Sequence, residues 1–408
     1  MPFEWFVAIR YLRDGKGQTA LILAAVSVGV SVIVFISALI GGLQTSLIDK
    51  TLGSQAHITL RMKREEPRAL ASASPGSGVV IAHSVQETSQ RLRSIDQWRS
   101  VLTNVERVPG VVATSASIVG AGFAVRSDAK NPIVLRGVED EKFLAIVDLR
   151  KRLVAGRFDI NGGGVVIGAT LASELGVGIG DKIRISSSEG IDDVVSVSGI
   201  FKLGNSAVDK TWVVTSLRHA QSLFALPGGA TLLELKVADV FDAENAARDA
   251  AGRTGLEAES WMTANAELLA GLSAQSSSKS LIQFFVAVAV ALGIASVLIV
   301  SVVQKSREIG ILRAVGTPSR RILLVFLIQG GILGVIGSFT GSALGALLAK
   351  GFERLAVDAT GTPKFPVTLD IALFAWATAL ATVVGLFAAI VPARRAAKLD
   401  PATAIRSG

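Results

Sequence analysis

Four stretches constrain this chain more than anything else in it. Thr19 to Gly42, Leu281 to Gln304, Ile322 to Ala349 and Leu369 to Pro392 each hold about twenty or more residues without a charge, enough for a helix to cross a hydrocarbon layer of roughly 30 Å. With 50% hydrophobic residues and a mean hydropathy of +0.52 over 408 residues, the chain is too apolar for an ordinary soluble domain, and membrane spans are the expected answer. The first run exceeds the h-region of a signal peptide and no A-x-A cleavage pattern follows it, so it reads as an uncleaved anchor.

A formal charge of +8 could suggest nucleic acid, but the cations gather where the apolar runs end. Arg10, Arg13 and Lys16 precede the first run, a cluster follows the second, and Arg394, Arg395 and Lys398 follow the fourth. By the positive-inside rule both termini and the central loop are cytoplasmic, and no nucleic-acid partner is expected. The expected order is a cytoplasmic amphipathic segment (1–18), the first span (19–42), an external domain with stalk helices (43–280) and the second span (281–304). A cytoplasmic coupling segment (305–321), the third span (322–349), a short external loop (350–368), the fourth span (369–392) and a cytoplasmic tail (393–408) complete it. Trp5, Phe6, Ile9 and Leu12 set against Arg10 and Arg13 suit the first segment to lying along the inner interface.

Between the second and third spans lies KSREIGILRAVGTPSRR, Lys305 to Arg321. Ile309, Leu312 and Val315 recur every third residue, with Ile311 four before Val315, which predicts an apolar stripe on a short helix of about three turns. Glu308 suits the first turn, and Gly316, Thr317 and Pro318 form a stop signal. Any such loop is basic, but a merely solvated one has no use for a stripe closed by a stop. In the third span Gly330 and Gly334, then Gly337, Gly341 and Gly345, sit four apart, a spacing that lets helix backbones approach closely within the chain or between subunits.

The external segment mixes short alternating runs with helical pieces, and reads as α+β. A half-buried strand is expected at Ala56 to Leu60, a mobile loop at Glu65 to Ser84 and a long polar helix from Glu87 to Val108. Strands follow at VVATSASI, GFAVR, PIVLRGV, GVVIG, DKIRIS, VVSVSGIF, TWVVTS and TLLELKV, with helices at Ala169 to Leu175, Leu217 to Leu226 and Phe241 to Arg253. Gly41 to Asp49 and Met262 to Ser280 should extend the first two spans outward as a paired stalk.

No catalytic site emerges. GGVVIGAT, Gly163 to Thr170, has the glycines and threonine of a phosphate loop but Ala169 in place of its lysine, so a strand entering a helix is the better reading. With Cys 0 there is neither disulfide nor thiolate site, and His57, His83 and His219 are scattered without an acidic neighbour at ligand spacing. There is no G-x-S-x-G, and the spans carry no charge of the kind that couples ions to transport. Energy for any work must come through a partner.

The run KSREIGILRAVGTPSRRILLVFLIQGGILGVIGSFTGSALG resembles the signature of the permeases related to MacB, FtsX and the lipoprotein-releasing LolC and LolE proteins. So do the tail VPARRAAKLDPATAIR, the entry AIRYLR, and GGGVVIGATLASELGVGIGDKIRI, VSGIF and VDKTWVV in the external segment. The resemblance implies an α-helical membrane protein with four transmembrane helices and a large α+β, MacB-like periplasmic domain between the first two, in the bacterial inner membrane. It also implies a second permease subunit, identical or homologous, and two separate ABC ATPase subunits that carry the ATP and magnesium. On this reading the chain binds no cofactor and catalyses nothing; it relays ATPase motion outward, which is called mechanotransmission.

Carried onto this sequence, the resemblance makes Arg307, Glu308, Ile309, Gly310, Ile311, Leu312, Arg313, Ala314, Val315 and Gly316 the element seated in the ATPase, supported by Arg394 and Arg395. A membrane lipid or lipoprotein would enter between the first two spans, past Phe35, Leu39, Leu43, Ile282, Phe285 and Val286, on its way to a periplasmic carrier. Two other functions fit the family: a MacB/DevC-type efflux permease with a periplasmic adaptor and outer-membrane duct, and an FtsX-like regulator of cell-wall hydrolases. Length and the motif string from Gly162 to Ile200 lean toward lipoprotein release.

Overall fold

A computed structural model describes residues 3–63, 92–357, 363 and 365–399. The chain divides into two compact units, Met1–Leu47 with Ala270–Gly408, and Ile48–Leu269.

The first unit is built on helices Lys16–Leu52, Ala266–Gln304, Ser319–Leu355 and Ile371–Ala397, each long and apolar enough to cross a membrane; they are called here the first to fourth membrane helices. The first and second, at 37 and 39 residues, run well beyond the roughly 20 residues a bilayer needs; the second begins at Ala266, after a separate short helix Trp261–Ala264, and not at the expected Met262. The fourth does not stop at Pro392, which lies inside it; the helix continues to Ala397, with Pro392, Ala393, Ala396 and Ala397 buried. The expected loop at 350–368 is shorter too, because the third helix holds to Leu355.

The third helix is the hub of this unit. A Cβ on Gly330 would lie 2.4 Å from the carbonyl oxygen of Gly385, and one on Gly334 2.6 Å from that of Ala381, both in the fourth helix. Gly337, Gly341 and Gly345 meet Val26, Ser27 and Ser31 of the first helix just as closely. Both glycine rows are therefore consumed by packing within the chain, which in a membrane relies on close contact because lipid gives helices little hydrophobic reason to associate.

The N-terminal helix Phe3–Asp14 ends at Gly15 and buries Val7, Ala8 and Tyr11 beside Val325. Phe3, Trp5 and Phe6 remain exposed. Of the amphipathic set expected from sequence, Trp5 and Phe6 thus face outward, while Leu12 packs with the membrane helices.

Among its described residues the second unit holds ten strands: β1 (Ile58–Arg61), β2 (Val111–Arg126), β3 (Ala129–Val138), β4 (Leu153–Gly156), β5 (Gly164–Gly168), β6 (Lys182–Ser187), β7 (Asp192–Phe201), β8 (Trp212–Ser216), β9 (Leu232–Val237) and β10 (Glu257–Ser260). They run β10-β1-β9-β2-β3-β8-β5-β7-β4, and β6 pairs with both β2 and β7, so the pairings β2-β3-β8-β5-β7-β6 close into a ring. What the sequence divides into VVATSASI and GFAVR is one sixteen-residue strand, β2, which joins β9 at one end and the ring at the other. Gly122 sits where β2 is paired on both sides, and a Cβ there would lie 2.5 Å from the Ser186 carbonyl oxygen.

A buried ion pair fixes the register. Arg136 of β3 reaches Glu234 of β9 at 2.6 Å, Ser117 of β2 donates to the same carboxylate at 2.9 Å, and the guanidinium lies 4.3 Å from the Trp212 ring centroid. Breaking one side would leave an uncompensated buried charge.

Helix Ala169–Leu175 follows β5 directly, so GGVVIGAT is a strand entering a helix. The long polar helix expected from Glu87 is corrected: the helix is Trp98–Val105, and residues 92–97 before it are not helical. There the Ile95 amide donates to the Ala230 carbonyl and Gln97 takes a left-handed φ of 47°, so tertiary hydrogen bonding overrides local propensity. The start of that expected helix and the loop at Glu65 to Ser84 lie outside the described residues.

Candidate coupling site

The helix within Lys305 to Arg321 is Ser306–Ala314, nine residues. Its end is built as the sequence predicts: Gly316 takes φ +97°, its amide donates to the Arg313 carbonyl at 3.0 Å, and the Thr317 amide donates to Leu312 at 3.1 Å. That pair of bonds is a Schellman closure, which satisfies the last carbonyls and turns the chain into the third membrane helix at Ser319.

The predicted single stripe is corrected, because the apolar residues divide between two faces. Ile309 and Gly310 are buried, and Ile309 and Leu312 pack with Val302, Ile322, Phe326, Ala393 and Ala396, the ends of the second, third and fourth membrane helices. Ile311 is 49% exposed and Val315 83% exposed, beside the exposed Arg307 and Ala314. Arg307, Ile311, Ala314 and Val315 follow the i, i+4, i+7, i+8 spacing of one helix face. One face is locked into the chain, and the other presents two bare aliphatic side chains with a cation beside them.

Contacts that sequence reasoning missed hold this helix at both ends. Lys305 Nζ lies 2.7 Å from Glu308 Oε1, 3.9 Å from Asp14 Oδ2 and 5.5 Å from the Tyr11 ring centroid. Burial, followed by the nearby Glu308 carboxylate, pushes the Tyr11 phenol up to about 12. Arg321 pairs with Glu4 at 3.4 Å, and Gln18 donates to Gln304 at 2.6 Å. At the other end Arg313 donates to the Leu399 carbonyl. Arg394 and Arg395 are exposed, and the tail meets the helix through Ala393, Ala396 and Leu399 instead. The only sequence signal for these ties is the cationic flank, which topology alone already explained.

The expected lipid-lining residues do not share one surface. Phe35 stands edge-on to Phe352 of the third helix at 6.0 Å, and Val286 packs inward near Gly29. Ile282 and Phe285 are exposed, while Leu39 and Leu43 are half-buried.

Among the described residues no group of His, Asp and Glu could hold a metal ion. His219 does have an acidic neighbour that sequence spacing concealed: its Nε2 lies 2.9 Å from Asp193 Oδ2, with Thr215 Oγ1 at 2.9 Å on Nδ1. His57 is buried, and burial lowers its pKa from the usual histidine value.

Residues 19–252 match the MacB-like periplasmic core domain and residues 280–401 the FtsX-like permease C-terminal family. The chain is 24% identical to the lipoprotein-releasing system transmembrane protein LolC of Xylella fastidiosa and 22% identical to that of Neisseria meningitidis, with 99% of each chain covered. It is 36% identical to the macrolide export ATP-binding/permease protein MacB of Wolinella succinogenes, over 28% of this chain and 17% of that one. The periplasmic region of MacB from Actinobacillus actinomycetemcomitans is similar at TM-score 0.33 and 10% identity, covering 54% of this chain and 95% of that one. A multi-pass protein of the inner membrane with four membrane helices and an α+β domain between the first two, this chain belongs to the MacB/FtsX/LolC family of ABC transporter permeases.

Proposed function

We propose that this chain is the permease subunit of a lipoprotein-releasing transporter, relaying the motion of separate ATPase subunits to its α+β domain on the far side of the membrane. The observation that carries this reading is the divided coupling helix. Its inner face is welded to the ends of three membrane helices, and its outer face leaves Ile311 and Val315 bare for a partner. A push on such a helix moves the membrane helices as a body, whereas a loop with no fixed face would absorb it.

In this reading both termini and the coupling helix are cytoplasmic, two ATPase subunits with their ATP and magnesium seat Arg307 to Gly316, and a second permease completes the complex. The cargo is a lipoprotein or lipid-like molecule handed to a periplasmic carrier. The full-length likeness to LolC-named relatives supports release, because the MacB relative matches only a quarter or so of the chain. The MacB-like core domain supports a second reading, export through a periplasmic adaptor.

The test is reconstitution with candidate ATPases in liposomes loaded with a triacylated lipoprotein. ATP-dependent transfer of that lipoprotein to a soluble carrier supports the first reading. Stimulation of ATP hydrolysis only by an adaptor, with no transfer, selects the second. A chain that hydrolyses ATP without any partner would overturn both.

A further inference from the structure

We propose that the exposed face of the N-terminal helix is a docking site for an anionic phospholipid, whose phosphate is held by Arg10 and Arg13 in the leaflet on the side of the coupling helix. The inference needs only that the four long helices cross the membrane, and it is independent of the cargo.

The helix Phe3–Asp14 has two faces. Glu4, Val7, Ala8 and Tyr11, at i, i+3, i+4 and i+7, make the covered one. There Glu4 pairs with Arg321 at 3.4 Å, Val7, Ala8 and Tyr11 pack with Val325 and Ile328, and the Tyr11 ring centroid lies 6.4 Å from that of Phe326. Phe3, Phe6, Arg10 and Arg13, at i, i+3, i+7 and i+10, make the exposed one, with Trp5 beside them and Lys16 just past the helix. Along that face aromatic rings fill the first half and cations the second.

Depth shows what this face meets. Arg321 and Lys350 flank the third helix's apolar run, and about 44 Å of helix separates them at 1.5 Å per residue. A hydrocarbon core of about 30 Å centred on that length begins about 7 Å in from Arg321, at the level of Val325 and Phe326. Those are residues on which the N-terminal helix packs, so it sits at the boundary between acyl chains and headgroups. Aromatic rings suit that boundary, and arginine side chains reach from it to the phosphate level on their aliphatic stems.

Lying at the boundary requires only the rings; the cations choose the lipid. The Arg10 side chain is 69% exposed. Arg10, Arg13 and Lys16 stand against one exposed carboxylate, Asp14, which lies 3.8 Å from Arg10 and is shared with Lys305 at 3.9 Å. A guanidinium matches a phosphate with two parallel N–H bonds, and a headgroup without a compensating ammonium leaves that attraction unopposed. A second permease helix would bring no anion to this depth, because charges inside membrane spans are expensive. A soluble ATPase would have to enter the boundary layer to reach the face.

The experiment uses the full-length chain, with the subunits that co-purify, in phosphatidylcholine nanodiscs. These contain graded amounts of a phosphatidylglycerol bearing a diazirine on its headgroup. After illumination, peptides covering 3–18 should take label that saturates at low mole fraction, while peptides around the exposed Arg394 and Arg395 label in proportion to dose. Unlabelled phosphatidylglycerol should displace the saturable label, and phosphatidylethanolamine should not. Arg10→Gln with Arg13→Gln should raise the half-saturating fraction roughly tenfold to thirtyfold, the effect of two cations at an anionic lipid surface, with detergent melting unchanged. Arg10→Lys with Arg13→Lys keeps the charge and should stay within roughly threefold of the parent. Dose-proportional labelling of 3–18 would overturn the proposal, as would equal displacement by phosphatidylethanolamine. So would an unchanged half-saturation in the glutamine variant, an equal loss in the lysine variant, or equally saturable labelling at Arg394 and Arg395. Loss of the saturable label whenever ATPase subunits are bound would overturn it by assigning the face to them.

Discussion

The second and third membrane helices are both long and apolar, yet the protein treats them in opposite ways. Half of the third helix's apolar window is buried inside the unit, against 17% for the second. The third is ridged with glycines that bring backbones together, and it touches the first helix, the fourth helix and the N-terminal helix. The second buries Val290, Ile294, Leu298 and Val302, and leaves Leu281, Phe284, Phe285, Leu292 and Val303 bare. Hydrophobicity alone cannot distinguish the two, since lipid accepts either; the small-residue spacing does. The difference separates a fixed hub from a helix whose free surface is available to lipid or a second subunit.

The hardest way to break the hub is to bury a charge at its lower end. Ile309 has no exposed surface, and Ile309→Asp should destabilise the unit by roughly 4 kcal/mol or more, combining lost burial with an unpaired charge. Membrane-inserted yield and detergent melting would report it. Val315→Asp, on the exposed face of the same helix, should leave yield and melting unchanged while weakening ATPase co-purification at least tenfold. If the two variants behave alike, the helix does not have two distinct faces.

Within the hub, Gly334→Val forces a side chain against the Ala381 carbonyl and should cost about 3 kcal/mol. Gly293→Val, in the second helix with open space around it, should change stability by less than about 1 kcal/mol, because the new side chain meets no neighbour and valine is no worse a helix former than glycine. A matched pair of thermal melts in one detergent would decide. Equal losses would mean the second helix is packed as tightly as the third.

The apolar runs, the stop at Gly316 and most strands could be read directly because each is a local signal: absent charge, a left-handed glycine, or alternation along a few residues. The division of the coupling helix was not legible. Ile309 and Ile311 are two residues apart and equally apolar, and only the neighbouring helices decide which is covered. The same holds for the glycines, where four-residue spacing announces close packing but not that Gly334 meets the fourth helix and Gly337 the first. Long-range pairs left no trace at all. Ser117 and Glu234 meet across the fold, as do Asp193 and His219, because strand pairing and not sequence proximity brings them together.

The exposed surface of the second helix gives the next prediction. Phe284→Ala with Phe285→Ala should leave the monomer's melting within about 1 kcal/mol, since both rings stand largely outside the packing. If that surface meets a second permease, the double variant should shift the detergent-purified protein toward the single-chain species by size-exclusion light scattering. An unchanged oligomer with normal melting would leave lipid as the only neighbour of these rings.

The smallest expected effect concerns what ties the second helix to the first. Gln283 donates to Ser37 at 2.7 Å, Gln44 donates to Ser276 at 3.0 Å and to the Leu272 carbonyl at 3.1 Å, and Gln18 donates to Gln304 at 2.6 Å, beside packing contacts such as Gly29 with Val290. Single hydrogen bonds between membrane helices average about 0.6 kcal/mol, so Gln283→Leu should lower stability by that order and no more. Its informative readout is motion: with Ser37 unpaired, cysteine pairs engineered at the distal ends of the two helices should cross-link over a wider range of spacer lengths. An unaltered range would mean that side-chain packing, as in the hub, already holds this pair together, and the contrast between the two helices would then lie in their outer surfaces alone.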